Sequence, residues 1–315
     1  MTVKVSHTAE VQKFFQEVSG FNNDQGSPRL KQLMLRIVND IAKIVEDLEV
    51  SEDEFWLAVD YLNRLGGRHE VGLLVAGLGL EHFLDLLQDA KDEQVGLTGG
   101  TPRTIEGPLY VAGAPISQGE TRMDDGSELD VATVMFLQGR VLDADGKPVA
   151  GATVDLWHAN TKGNYSYFDK SQSEYNLRRR IVTDAEGRYR ARSIVPSGYG
   201  CDPQGPTQEC LDLLGRHGQR PAHIHFFISA PGYRLLTTQI NLAGEKYLWD
   251  DFAYATRDGL VGDIRFVEDA AAARDRGVEG SRFAELDFDF QLQNAVSPEA
   301  ELRSLRPRAL QVQGA

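Results

Sequence analysis

The apolar residues of this 315-residue chain change their spacing near residue 100, and that change limits the fold more than any single motif does. From Pro28 to Val50, the residues Leu30, Leu33, Met34, Ile37, Ile41, Ile44, Val45 and Leu48 recur every third or fourth position, as the buried stripe of an amphipathic helix does. Pro28 suits a first helical turn, where its missing N–H is not needed. The run Ser51 to Glu54 reads as a capping box that opens a second helix, carrying Phe55, Trp56, Val59, Leu62 and Leu65 up to Gly66 and Gly67. A third helix is expected within Glu70 to Asp89. Beyond the turn-rich residues 97–102 the period becomes two, in segments near 132–142, 149–158, 178–184, 188–195, 222–230, 235–242 and 282–292. Turn sequences at 143–146 and 184–187 separate several of them, a pattern of sandwiches or barrels rather than of parallel βαβ units. The expected fold is therefore α+β: an N-terminal all-helical domain over residues 1–105, then a β-sandwich domain over residues 106–315. Two long loops, 159–177 and 196–220, are where function is expected to sit.

Composition excludes several function classes. The net charge of −14 is spread evenly over both parts, so there is no basic footprint for a phosphate backbone. No stretch of 18 apolar residues exists and the first ten residues lack the apolar centre of a signal peptide, so a soluble, cytoplasmic protein is expected. The two cysteines, Cys201 and Cys210, match no zinc spacing and read as free thiols.

Residues 220–225 read Arg-Pro-Ala-His-Ile-His, and on a strand His223 and His225 project from one face. They are the only pair so placed among seven histidines. Two imidazoles are half of a metal site and need other donors. Tyr199 sits between two glycines with little local packing of its own, and is either a loop anchor bonded to the backbone or a phenolate ligand. The same alternatives hold for Tyr165. His158 and His217 are further donors, although His158 follows Val154 and Leu156 on their strand face, which marks a core histidine.

Four separated segments, Pro102–Tyr110, Asp155–Asn160 with Tyr165, Pro196–Gly200 and Arg220–His225, resemble the intradiol ring-cleavage dioxygenases, and among them the bacterial enzymes that act on catechol. The resemblance runs from about Val3 to Leu310. It implies a β-sandwich catalytic domain with one non-haem iron(III), Fe(3+), held by Tyr165, Tyr199, His223 and His225. Phenolates are hard anionic donors suited to that ion. It further implies Tyr199, Arg220 and Gln239 as catalytic residues, with Tyr199 leaving the metal to accept a substrate proton, and a pocket formed by Leu73, Ile105, Pro108, Leu109, Phe252 and Ala253. The implied substrates are catechol and dioxygen, the product cis,cis-muconate, and the setting aromatic catabolism through the beta-ketoadipate pathway. The implied assembly is a homodimer through the N-terminal helices, with a phospholipid at the interface. At Val75-Ala76, where some of that family are expected to carry a proline, this chain has none, which leaves fine substrate preference open. Two other readings stand beside this one. One is a sibling dioxygenase for chlorocatechol or hydroxyquinol. The other is a transthyretin-like binding module without catalysis, suggested by the hairpin pattern of residues 143–154.

Overall fold

Local sequence signals set the helices at the start of the chain. The computed structural model describes residues 3–295, so the end of the second expected domain lies outside the described residues. Two compact units divide between Arg68 and His69. In the first, α1 (Ala9–Val18) is capped by Thr8, α2 (Pro28–Asp47) by Ser27 with Pro28 in its first turn, and α3 (Glu52–Gly67) by Ser51, whose capping box with Glu54 is complete. Within this unit Leu30, Leu33, Met34, Ile37, Ile41 and Ile44 stay exposed along α2, which buries no residue at all.

The single helix expected within 70–89 is two: α4 (Val71–Gly77) and α5 (Leu80–Gln94), separated at Gly79 with φ of 71°. An α-helix cannot pass through a left-handed residue, and the apolar stripe alone did not reveal the break.

The strands are β1 (Ile116–Gln118), β2 (Glu120–Arg122), β3 (Val134–Leu142), β4 (Thr153–His158), β5 (Arg178–Val182), β6 (Arg188–Ile194), β7 (Tyr199–Gly200), β8 (Gln219–Arg220), β9 (His223–Ser229), β10 (Leu236–Leu242), β11 (Val261–Gly262), β12 (Ile264–Glu268), β13 (Arg282–Asp287) and β14 (Phe290–Gln291). Two short helices interrupt them, α6 (Pro206–Leu213) inside the second long loop and α7 (Ala270–Asp275). One sheet runs β1-β5-β4-β9-β10-β11, and the other β12-β13-β3-β6-β2 with β14 beside β3. Val154, Leu156, Ile181, Ile224, Phe226, Ile228 and Ile240 of the first sheet share one buried core with Met135, Leu137, Val141, Tyr189, Ala284, Leu286 and Phe290 of the second. That shared core makes a sandwich.

Alternation then decides what the opposite face of the first sheet carries. Register pairs Arg178 with Trp157, Trp157 with His225, and His225 with Gln239, so these four side chains form one row across β5, β4, β9 and β10. His223 lies opposite Asn241, one pleat away on the same face. With the core on one face, these polar residues are forced onto the other, under the two long loops.

Candidate active site

Two loops close over that face because glycines let them approach. Gly163 has φ of 80°, and a Cβ there would lie 2.6 Å from the Cβ of Tyr199. A Cβ on Gly198 would lie 2.6 Å from the Arg220 carbonyl oxygen. Only glycine lets the 159–165 turn and the Tyr199 hairpin (β7 with β8) pack at this range.

The packing brings Tyr165, Tyr199, His223 and His225 together. His223 Nε2 lies 3.4 Å from Tyr165 Oη, 3.4 Å from Tyr199 Oη and 3.0 Å from His225 Nε2, and the two phenol oxygens are 3.4 Å apart. The two histidines and Tyr165 are buried, and Tyr199 is half-buried at the opening. His223 Nδ1 donates to the Pro221 carbonyl at 2.7 Å, the tautomer that leaves Nε2 bare. His225 stacks on Trp157 with centroids 4.9 Å apart and planes within 5° of parallel.

Electrostatics favours neutral imidazoles here. Burial, with the Arg220 guanidinium beside them, pushes both histidines well below their ordinary range. Burial likewise pushes the Tyr165 phenol well above its ordinary range, so only a cation against its oxygen would make it a phenolate.

The donor set fits a hard, highly charged metal ion. Donor separations of 3.0 to 3.4 Å are those expected around one ion with metal–ligand bonds of about 2.0–2.2 Å. Among the described residues no three His, Cys, Asp or Glu side chains cluster as a metal site, whereas here two phenols stand with the two imidazoles.

Arg220 and Gln239 stand beside the cluster. Arg220 Nη1 is 3.0 Å from His223 Nε2 and 3.4 Å from Tyr199 Oη, and its Nη2 donates to Gln239 Oε1 at 2.9 Å. Gln239 Nε2 donates in turn to Asn241 Oδ1 at 2.6 Å. Ile105, Phe252 and Ala253 pack in one apolar cluster with Ala76, Leu211 and half-buried Leu73. Leu109 belongs to a neighbouring cluster with Tyr165, Tyr199 and Trp157. Pro108 is half-buried next to Gly107, where a Cβ would sit 3.7 Å from His225.

His158 and His217 lie outside. His158 is a satisfied core residue, bonded to the Ala159 carbonyl and Ser193 Oγ, and His217 pairs with Asp250.

One residue that the motifs did not single out is Asp251. Its buried carboxylate takes Nε of Arg220 at 3.1 Å and Nη2 at 3.1 Å, and also accepts from the Ala253 and Ala255 backbone N–H groups. Burial opposes the Arg220 charge, but Asp251 and Tyr199 outweigh it, so the guanidinium is held firmly charged. No spacing rule links positions 220 and 251. Only the fold brings them together.

Comparison with known proteins identifies the family. A family model described as "Dioxygenase" matches residues 105–294, and one described as "Catechol dioxygenase N terminus" matches residues 27–96. The chain belongs to the intradiol ring-cleavage dioxygenase family. It is 54% identical over 298 residues to the catechol 1,2-dioxygenase of Acinetobacter baylyi, covering 94% of this chain and 95% of that one. The crystal structure of catechol 1,2-dioxygenase from Pseudomonas arvilla C-1 superposes with a TM-score of 0.95 at 77% identity, over 98% of this chain and 99% of that one. A hydroxyquinol 1,2-dioxygenase of Rhizobium sp. is 34% identical over 276 residues, or 85% of this chain and 90% of that one. Membership in this family and the paired-sheet architecture were both expected from the sequence.

Proposed function

We propose that the protein cleaves catechol with dioxygen between its two hydroxylated carbons, giving cis,cis-muconate, at a non-haem iron(III) held by Tyr165, Tyr199, His223 and His225. The observation that carries this reading is the convergence of two phenol oxygens and the His225 imidazole within 3.4 Å of His223 Nε2 on a chain of this family. Iron(III), when bound, would supply the Lewis acidity that makes a catechol dianion accessible near neutral pH.

The protein's own groups do the rest. Tyr199, at the opening of the cluster, is the base whose oxygen accepts a catechol proton. Arg220, held by Asp251 and Gln239, presents Nη1 to the same space and stabilises negative charge on the ring or on reduced oxygen. Leu73, Ile105, Pro108, Leu109, Phe252 and Ala253 bind the ring by apolar contact and exclude water.

That apolar wall also sets specificity. A protocatechuate carboxylate against it would cost several kcal/mol without a basic partner, and the third hydroxyl of hydroxyquinol would lose its hydrogen bonds. Small alkyl or halogen groups add only volume, so chlorocatechols are poorer substrates rather than excluded ones.

The same reading assigns residues 1–105 to a homodimer contact. It is supported by the unpartnered apolar stripe of α2, on which a phospholipid chain would also fit. A cytoplasmic place in aromatic catabolism, through the beta-ketoadipate pathway, agrees with two unpaired cysteines. No single helix among the described residues is long and apolar enough to cross a membrane.

Oxygen uptake with catechol, with the product identified by absorbance and mass, tests the proposal. Muconate formation, one iron per chain and a visible phenolate-to-iron(III) band are expected. A semialdehyde product, or protocatechuate or hydroxyquinol turning over as well as catechol, would overturn it.

A further inference from the structure

We infer that Arg178 is a positioning residue of the metal site, a buried cation that sets the donor strength of the Tyr165 phenolate. The inference rests on the iron(III) reading above. Arg178 is 1% exposed, at the end of the row that continues through Trp157 and His225 to Gln239. Its Nε donates to Ser166 Oγ at 3.0 Å and its Nη2 to the Ser166 carbonyl at 3.0 Å, while Ser166 Oγ donates to the Asn176 carbonyl at 2.6 Å. The guanidinium thereby fixes the residue that directly follows Tyr165. Its central carbon stands 5.7 Å from the centroid of the Tyr165 ring, within cation–π range.

What sets Arg178 apart is charge balance. Its Nη1 is buried without a hydrogen-bond partner, and the buried carboxyl that acts on it electrostatically, Asp155, makes no direct ion pair with it and accepts instead from Tyr110 Oη. Arg220, the other buried guanidinium at the site, is neutralised by Asp251. A buried cation without a contacting counterion is costly, and a neutral phenol ring returns only part of that cost. A metal-bound phenolate, whose charge spreads into the ring, returns more. The unbalanced positive charge therefore lies on the Tyr165 side of the cluster. In turn it lowers the energy of the Tyr165 donor orbitals and weakens electron donation to the metal.

The test compares Arg178→Gln, which keeps polar contact but removes the charge, with Arg178→Lys, which keeps the charge. Loss of the cation raises the phenolate donor level. The charge-transfer band of iron-loaded Arg178→Gln should accordingly move to longer wavelength. Arg178→Lys should restore the band toward wild type. Thermal melts supply a second readout: Arg178→Gln should change the stabilisation that iron confers, whereas a purely structural arginine would lower the iron-loaded and iron-free forms alike.

An Arg178→Gln protein with full iron and a wild-type band overturns the inference, as do equal band shifts in the two variants. If Arg178→Gln does not fold, Arg178→Lys decides. Folded, iron-bound and with a wild-type band it supports the inference; unfolded, or with a displaced band, it overturns it. Wild-type protein lacking the charge-transfer band would instead defeat the iron reading itself.

Discussion

Asp251→Asn isolates the part of the site that the motifs did not announce. Asp251 and Arg220 are 5% and 4% exposed, and the carboxylate is the only ion-pair partner found for that guanidinium among the described residues. Asparagine keeps the shape but removes the charge, and it turns one oxygen into a donor facing other donors. The lost contacts include Arg220 Nε at 3.1 Å or Nη2 at 3.1 Å, and one of the Ala253 and Ala255 amides. Removing one partner of a buried pair costs about 3–5 kcal/mol, because the other charge stays buried and unpaired. For a unit of this size each kcal/mol moves the melting midpoint by about 2–4 °C, so a loss of roughly 6–20 °C is expected. The assay is denaturant and thermal unfolding followed by circular dichroism, with steady-state oxygen uptake on the folded fraction. Since the same carboxylate anchors the backbone beside Phe252 and Ala253, KM for catechol should rise together with a fall in kcat of about a hundredfold. A variant that melts within about 2 °C of wild type and turns over normally would refute the assignment of Asp251 as the group that holds Arg220.

Tyr199→Phe should fold normally, since its ring contacts with Tyr165 and His223 remain, but lose at least about a hundredfold in turnover with the proton acceptor gone. Tyr167→Phe, outside the four-residue cluster, is the comparison, and equal rates for the two variants with full iron would contradict the ligand set. Asp155 gives a pH prediction. Burial raises its carboxyl from 3.8 to about 7, so the folded chain holds a proton there that the unfolded chain releases. Its contribution to stability is therefore present in acid and is lost as pH rises from about 4 to about 7, by up to about 4 kcal/mol. Asp155→Asn should flatten that part of the curve of unfolding free energy against pH, and an unchanged slope would refute it.

Much of the architecture was legible because local chemistry carried it. Ser51 and Glu54 specify a capping box whatever surrounds them, and the alternation around His223 and His225 places both on one strand face. The break at Gly79 was not legible, since apolar spacing continues through a residue whose conformation only the packed chain reveals. Strands β1, β2, β7, β8 and β11 span two or three residues each, so too few residues alternate to signal them.

The sequence by itself thus determined the succession of a helical part and a strand-rich part, the His-x-His pair, and, through its motifs, the family and the candidate donors. Tertiary structure alone decided which residues surround those donors. Register across four strands aligns Arg178, Trp157, His225 and Gln239, and a loop return places Asp251 against Arg220. The physical reason is that hydrophobic periodicity encodes which face of a strand is buried, while the neighbours on the polar face are fixed by long-range pairing that leaves no trace in local spacing.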